Sequence, residues 1–176
     1  MPQPLKNFRG NWRSGGRLVL ERPELAMRIG LIATAWSSLE NYIITMFLNH
    51  SGISIENAFI IHDLITNLPV RLSVIRSVMK KRLPSSLYKN LVLLEQDIRK
   101  RAGERNAIVH GAWAISDDFP DDLMRQPLVG DIVRYTLKDF EDVFERITET
   151  ALKVEKVWTD IGNTLRQPGS KSPSRC

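Results

Sequence analysis

Six consecutive residues, Arg105-Asn106-Ala107-Ile108-Val109-His110, hold the densest chemistry in this sequence of 176 residues. A guanidinium cannot shed its charge, and an imidazole ordinarily titrates near neutrality. Together they suit work on a phosphodiester, where one group holds the phosphate and the other moves a proton. Asn106 lies four residues before His110, on nearly the same helical face, and Gly103 and Arg99 continue that face toward the N-terminus. Glycine inside a helix costs ~1 kcal/mol relative to alanine, so Gly103 is expected to mark close approach of a ligand or another backbone. A histidine near a helix end also has a purely structural reading, and residue types alone leave both open.

The elements that position these groups follow from periodicity. The motif-bearing helix begins at Pro84-Ser85-Ser86, where either serine can cap it, and should reach His110. Gly111 is expected to end it as a left-handed residue. Leu87, Leu91, Leu94 and Ile98 form one apolar stripe, and the same spacing then reaches Arg101 or Ala102, and next Arg105. A guanidinium where leucine is expected needs a carboxylate, a phosphate or water. Glu40, which follows Ala33 and Trp36 at the edge of the first helix's apolar face, is one candidate carboxylate. Alternatively, Arg105 lies on the shoulder of the stripe and reaches water.

That first helix opens at Pro23 and runs to about Asn49, with Leu25, Ile29, Ile32, Trp36, Leu39, Ile43 and Met46 on one face before Ser51-Gly52. A shorter helix starts from an N-cap at Ser54 and ends near Thr66. Asn67-Leu68-Pro69 breaks the chain, and a basic helix spans about 70 to 82. Thr136 with Asp139 three residues on resembles a capping box, and it opens a last helix that ends near Leu165. Between the fourth and last helices, Ala112–Ile115 and Val129–Tyr135 are expected to pair as a hairpin around the acidic loop holding Asp117, Asp118, Asp121 and Asp122. The expected fold is therefore all-α, an antiparallel bundle of about five helices with a short β-hairpin before the last. Residues 1–22 read as a basic arm, 23–166 as the helical domain, and the Pro/Gly/Ser-rich 167–176 as a disordered tail.

The net charge of +5 is unevenly spread. Residues 1–22 carry five bases against one acid, 71–105 ten bases against three acids, and 111–150 ten acids against four bases. Such segregation suits a polyanionic partner, although solvated helix faces produce it too. Cys176 is the single cysteine, so no intrachain disulfide and no cysteine-based zinc site is expected. His50 and His62 lie in different helices without an acidic cluster, so no metal or other cofactor is expected. Gly10 to Gly16 lacks the strand and lysine of a phosphate loop. No leader-like apolar run and no ~20-residue apolar stretch is evident, which predicts a cytoplasmic protein without a membrane partner. Trp12, among arginines, is placed either to stack on a base or to pack against the domain, while Trp36, Trp113 and Trp158 are expected to fill core.

Arg105-Asn106 followed by His110, Gly111 and Trp113 at the close of a long helix resembles the HEPN family (higher eukaryotes and prokaryotes nucleotide-binding domains), in its RNase-type Arg-x4-His form. The helix pattern over residues 23–165 carries the likeness broadly, and about six residues carry it specifically. The resemblance implies a metal-independent endoribonuclease, a toxin or defence nuclease that homodimerises into one composite site and has RNA and an antitoxin protein as partners. His110 would move the proton of the RNA 2′-hydroxyl, Arg105 would hold the scissile phosphate, and Asn106 would orient His110 or bind a phosphate oxygen. Glu40, Arg101 and Arg99 would be supporting residues, drawn from helix register and not from the motif. Ala112 stands where one subgroup of the family has a tyrosine, which argues against that subgroup's modifying partner. The rival reading is a non-catalytic helical module that binds nucleotide or protein, and a DNA-binding regulator using helix 70–82 ranks last.

Overall fold

The computed structural model describes residues 1–50, 52–127 and 129–166, without the side chains of 45–49. The segment read as a tail, Ser51 and the side chain of Met46 lie outside the described residues. Among the described residues five α-helices form: α1 (Pro23–His50), α2 (Ile55–Leu64), α3 (Leu68–Lys80), α4 (Ser85–Val109) and α5 (Leu137–Arg166). Five strands accompany them: β1 (Gln3–Leu5), β2 (Trp12–Ser14), β3 (Ala112–Ser116), β4 (Phe119–Gln126) and β5 (Ile132–Tyr135). The chain is thus mixed α/β, and the expected all-α bundle is wrong. The strands make one antiparallel sheet in the order β1-β5-β4-β3-β2. Among the described residues no helix is long and apolar enough to cross a membrane.

The correction has a definite cause. The expected hairpin partner of β3 was the segment now found as β5, but β3 pairs with β4, which occupies most of the supposed acidic loop. Pro120-Asp121-Asp122 has poor strand propensity, which hides it. In place, Asp122 is buried and receives Arg134 Nε of β5 at 2.6 Å, so a cross-strand ion pair replaces the apolar contact that pattern reading looks for. Residues 1–22, read as an arm, supply both edge strands and a 3-10 turn (Leu18–Glu21) that lies against β3. These edges are only three residues long, and β1 contains Pro4, both features that suit a sheet edge. Trp12 sits in β2 opposite Ser116.

The chain divides into two compact units, residues 1–38 with 100–149, and residues 39–99 with the chain from 150 onward. The first contains the whole sheet. Its core is built from Leu25, Ile32 and Trp36 of α1, Ile108 of α4, and Phe140, Val143 and Ile147 of α5, with Leu123 and Met124 of β4. Trp113, Tyr135 and Phe140 pack against one another with ring centroids 5.2–5.5 Å apart, Trp113 edge-on to Tyr135 and the other two pairs tilted. Thr136 and Asp139 form the expected reciprocal cap of α5: Asp139 Oδ2 accepts from Thr136 N at 2.9 Å, and Asp139 N donates to Thr136 Oγ1 at 3.3 Å.

The second unit is helical. Ser54 caps α2 through Asn57 N, as read from the sequence. Asn67 caps α3 through Val70 N, so Asn67-Leu68-Pro69 starts that helix as well as breaking the chain before it. Ile43, Leu72, Ile75, Met79, Leu91, Leu94 and Ile98 are buried there.

Candidate active site

The closing turn of α4 belongs to the first unit, and the way it ends decides where His110 stands. Gly111 does not take a left-handed backbone; the described glycines at positive φ are Gly15, Gly52 and Gly130. Its lack of a side chain matters for another reason. A Cβ there would lie 2.8 Å from the Ala107 carbonyl oxygen, 3.1 Å from Trp113 Cε2 and 3.2 Å from Arg125 Cδ. The chain therefore turns tightly over the helix end into β3. Trp113 Nε1 donates to the Ile108 carbonyl at 3.0 Å and Arg125 Nη1 to that of Ala107 at 3.4 Å, satisfying oxygens that a helix end leaves open. His110 N still reaches Asn106 O at 3.1 Å, so His110 prolongs the helical turn while its side chain is exposed.

On this frame three of the predicted residues come together. Arg105 Nη1 donates to Asn106 Oδ1 at 2.9 Å and meets His110 Nε2 at 3.1 Å. A guanidinium only donates, so the contact requires Nε2 to accept, with the ring proton on Nδ1. Half-buried Arg105 has no carboxylate partner among the described residues, and its Nε is buried without a hydrogen bond. Among the described residues its guanidinium meets the Asn106 amide oxygen and the His110 ring nitrogen.

The supporting residues go elsewhere. Arg101 is the buried guanidinium of the stripe, and it pairs with Glu104 at 2.7 Å; Arg146 Nε of α5 reaches the same carboxylate at 3.2 Å. Glu40, one candidate partner for Arg105 in the sequence, pairs with Arg71 at 3.5 Å. Arg99 pairs with Glu95 at 2.7 Å and donates to the Pro69 carbonyl, while Arg76 reaches Glu95 from the other side. These are structural ion pairs, and they neutralise part of the basic run 71–105. Gly103 is exposed, and a Cβ there would meet nothing within 4 Å, so no close approach explains it.

Sequence reasoning missed Arg125. It enters from β4, whose existence was itself hidden, and brings to the same helix end a second guanidinium without a carboxylate partner among the described residues. Its Nε is likewise buried without a hydrogen bond among the described residues. No local signal marks it.

The remaining histidines have separate surroundings. His62 Nδ1 contacts Asp63 at 2.9 Å. His50 packs at a tilt against Trp158 with centroids 5.5 Å apart, and burial, then Arg166, holds its imidazole below the ordinary value. Among the described residues no group of three or more His, Cys, Asp or Glu is placed to hold a metal ion. Trp36 and Trp113 are buried, as expected, whereas Trp158 is half-buried. No family model, no curated protein and no solved structure matches the chain.

Proposed function

We propose that this chain is a metal-independent endoribonuclease of HEPN type, with Arg105, Asn106 and His110 as its catalytic residues. The observation that carries the reading is the cluster at the end of α4: a half-buried arginine without a carboxylate partner among the described residues, in contact with an exposed histidine at Nε2. Such an arginine is ready for an anion, because a phosphate oxygen offers it stronger, charge-assisted hydrogen bonds than an imidazole does. When the guanidinium turns to the phosphate, the Nε2 lone pair is released at the same spot.

The chemistry then follows. His110 Nε2 takes the proton of the RNA 2′-hydroxyl as the 2′-oxygen attacks the adjacent phosphorus. The P–O5′ bond breaks, and the departing 5′-oxygen receives a proton, leaving a 2′,3′-cyclic phosphate and a 5′-hydroxyl. Arg105 stabilises the charge that accumulates on the phosphorane oxygens. One histidine supplies one of the two proton transfers; His110 of the partner subunit in a homodimer supplies the other.

The test is incubation of the purified protein with assorted RNAs, with and without EDTA, and mass analysis of the product ends. Cyclic phosphate ends in both conditions are expected. Dependence on Mg²⁺, or 3′-hydroxyl and 5′-phosphate ends from the first time point, would refute the mechanism. If RNA and nucleotides bind but nothing is cleaved, and binding is lost on changing Arg105, the chain is a non-catalytic binding module.

A further inference from the structure

Trp158, Gly162 and Arg166 are spaced four residues apart, so they share one face of α5, with Thr159 and Asn163 beside them. Within the second unit these residues and His50, the last residue of α1, line an open cavity of about 170 Å³. That is several times the ~30 Å³ share of one water, and below the usual range of sites for drug-sized molecules. Gly162 makes the approach of the two helices possible. A Cβ on it would lie 3.2 Å from His50 Cε1 and 3.3 Å from His50 Nε2, so the bare backbone gives the imidazole its room.

The polar groups around the cavity are short of acceptors. Trp158 Nε1 and His50 Nε2 are both buried without a hydrogen bond among the described residues. An indole N–H can only donate, and leaving it buried and unpaired is costly. The exposed Asn163 side chain makes no hydrogen bond among the described residues, and Thr159 already gives its hydroxyl proton to the Glu155 carbonyl at 2.9 Å. Arg166 is exposed and has no carboxylate partner among the described residues, none of which brings a carboxylate to the lining. Burial, then Arg166, holds the His50 imidazole below its ordinary value, so at neutral pH the guanidinium supplies the charge of the lining. The partial negative charge at the end of α1 is met separately by Arg82, whose Nη1 donates to the His50 carbonyl at 2.8 Å.

We propose that this cavity binds one small oxyanion, a phosphate or a short carboxylate, through Arg166, the Trp158 indole N–H and the Asn163 amide. Water can pair the indole and the amide, but it leaves the guanidinium without a counter-charge. An oxyanion does both, and its hydrogen bonds are charge-assisted. Trp158 is half-buried, and its N–H edge meets the ligand by a small side-chain rotation of the kind that binding commonly brings. The Arg105–His110 cluster lies in the other unit, so the proposal stands or falls independently of the nuclease reading.

The experiment titrates the protein separately with sodium phosphate and sodium acetate, with sodium chloride holding the ionic strength constant. Heteronuclear NMR follows the indole N–H signals of the four tryptophans, and Trp158→Phe identifies the Trp158 signal by its loss. That signal should shift and saturate while those of Trp12, Trp36 and Trp113 stay in place. Saturation with phosphate alone assigns a phosphate, with acetate alone a carboxylate, and with both the shared oxyanion chemistry. Arg166→Gln, at an exposed position, should weaken binding about 10–100-fold, the range for a hydrogen bond to a charged group. Trp158→Phe keeps an aromatic ring but loses the donor, and calorimetry should show weaker binding by a variant whose unfolding curve confirms that it is folded. Arg17→Gln removes an exposed arginine of the first unit and should leave binding unaltered. No saturable shift with either anion, equal shifts of all the indole signals, or a folded Arg166→Gln or Trp158→Phe protein that binds as the unmodified one does overturns the proposal. So does an equal loss in Arg17→Gln, since general attraction to a basic protein would then account for the binding.

Discussion

Replacing Gly111 with alanine tests how the end of α4 is built. The new Cβ would sit 2.8 Å from the Ala107 carbonyl oxygen, closer than real Cβ contacts come, with Trp113 Cε2 at 3.1 Å and Arg125 Cδ at 3.2 Å. The arginine stem can yield. The carbonyl belongs to the last turn of α4, and the indole is fixed by its bond to Ile108, so the backbone has to move by several tenths of an ångström. Overpacking of this kind costs about 1–3 kcal/mol, and the loss of glycine's freedom in the unfolded chain offsets roughly 0.4–1 kcal/mol of it. The net expectation is a loss of about 1–2 kcal/mol, or some 3–6 °C in Tm for a chain of this size. Urea and thermal unfolding of Gly111→Ala and Gly111→Asn measure it. Asparagine tolerates a left-handed backbone far better than alanine, so a glycine kept for its φ would be replaced more cheaply by Asn. The steric account predicts the opposite order, with Asn worse. A Gly111→Ala variant within 0.5 kcal/mol of the unmodified protein, or Asn milder than Ala, refutes the reasoning.

Other expectations follow from the ion pairs and the histidines. Glu104→Ala strands buried Arg101 and should cost about 2–3 kcal/mol in urea unfolding, below the full cost of breaking a buried pair because Glu104 is partly exposed. Arg101→Met should cost less, because Glu104 keeps Arg146 at 3.2 Å; the reverse order would contradict this account. For His50, burial and then Arg166 hold the folded imidazole below its ordinary 6.5, so the unfolded chain takes up the proton first. Its contribution to stability is present above 6.5 and is lost as pH falls through the lower folded value. Urea midpoints measured from pH 8 to 5 should therefore fall more steeply for the unmodified protein than for His50→Asn, and parallel profiles would refute it. Asn106→Ala should slow RNA cleavage about tenfold, the scale of one hydrogen bond to a charged group. A rate within twofold of the unmodified protein would remove Asn106 from the site.

Helical periodicity and capping residues made much of the fold legible. Ser54, Thr136 with Asp139, and Pro23 each mark a helix start that the structure contains. The sheet was not legible, since its stability comes from long-range pairing that leaves little local trace. β1 and β2 are three-residue edges drawn to β5 and β3 from the other end of the first unit's sequence, and β4 places a buried aspartate where an apolar residue would have signalled a strand. The site divides the same way. Arg105, Asn106 and His110 share one helix end, so spacing alone brought them together. Glu40 was assigned from helix register, which gives a face but not a neighbour, and it is found with Arg71. Arg125 depended on knowing β4.

The central claim is that Arg105 and His110 form one phosphodiester-cleaving pair. Its most direct test is the single-turnover rate of RNA cleavage by His110→Ala beside the unmodified protein, with matched unfolding curves showing both to be folded. The account predicts a rate lowered about 10²–10⁴-fold, the usual contribution of a positioned general base. A folded His110→Ala protein that cleaves RNA at the unmodified rate would contradict it.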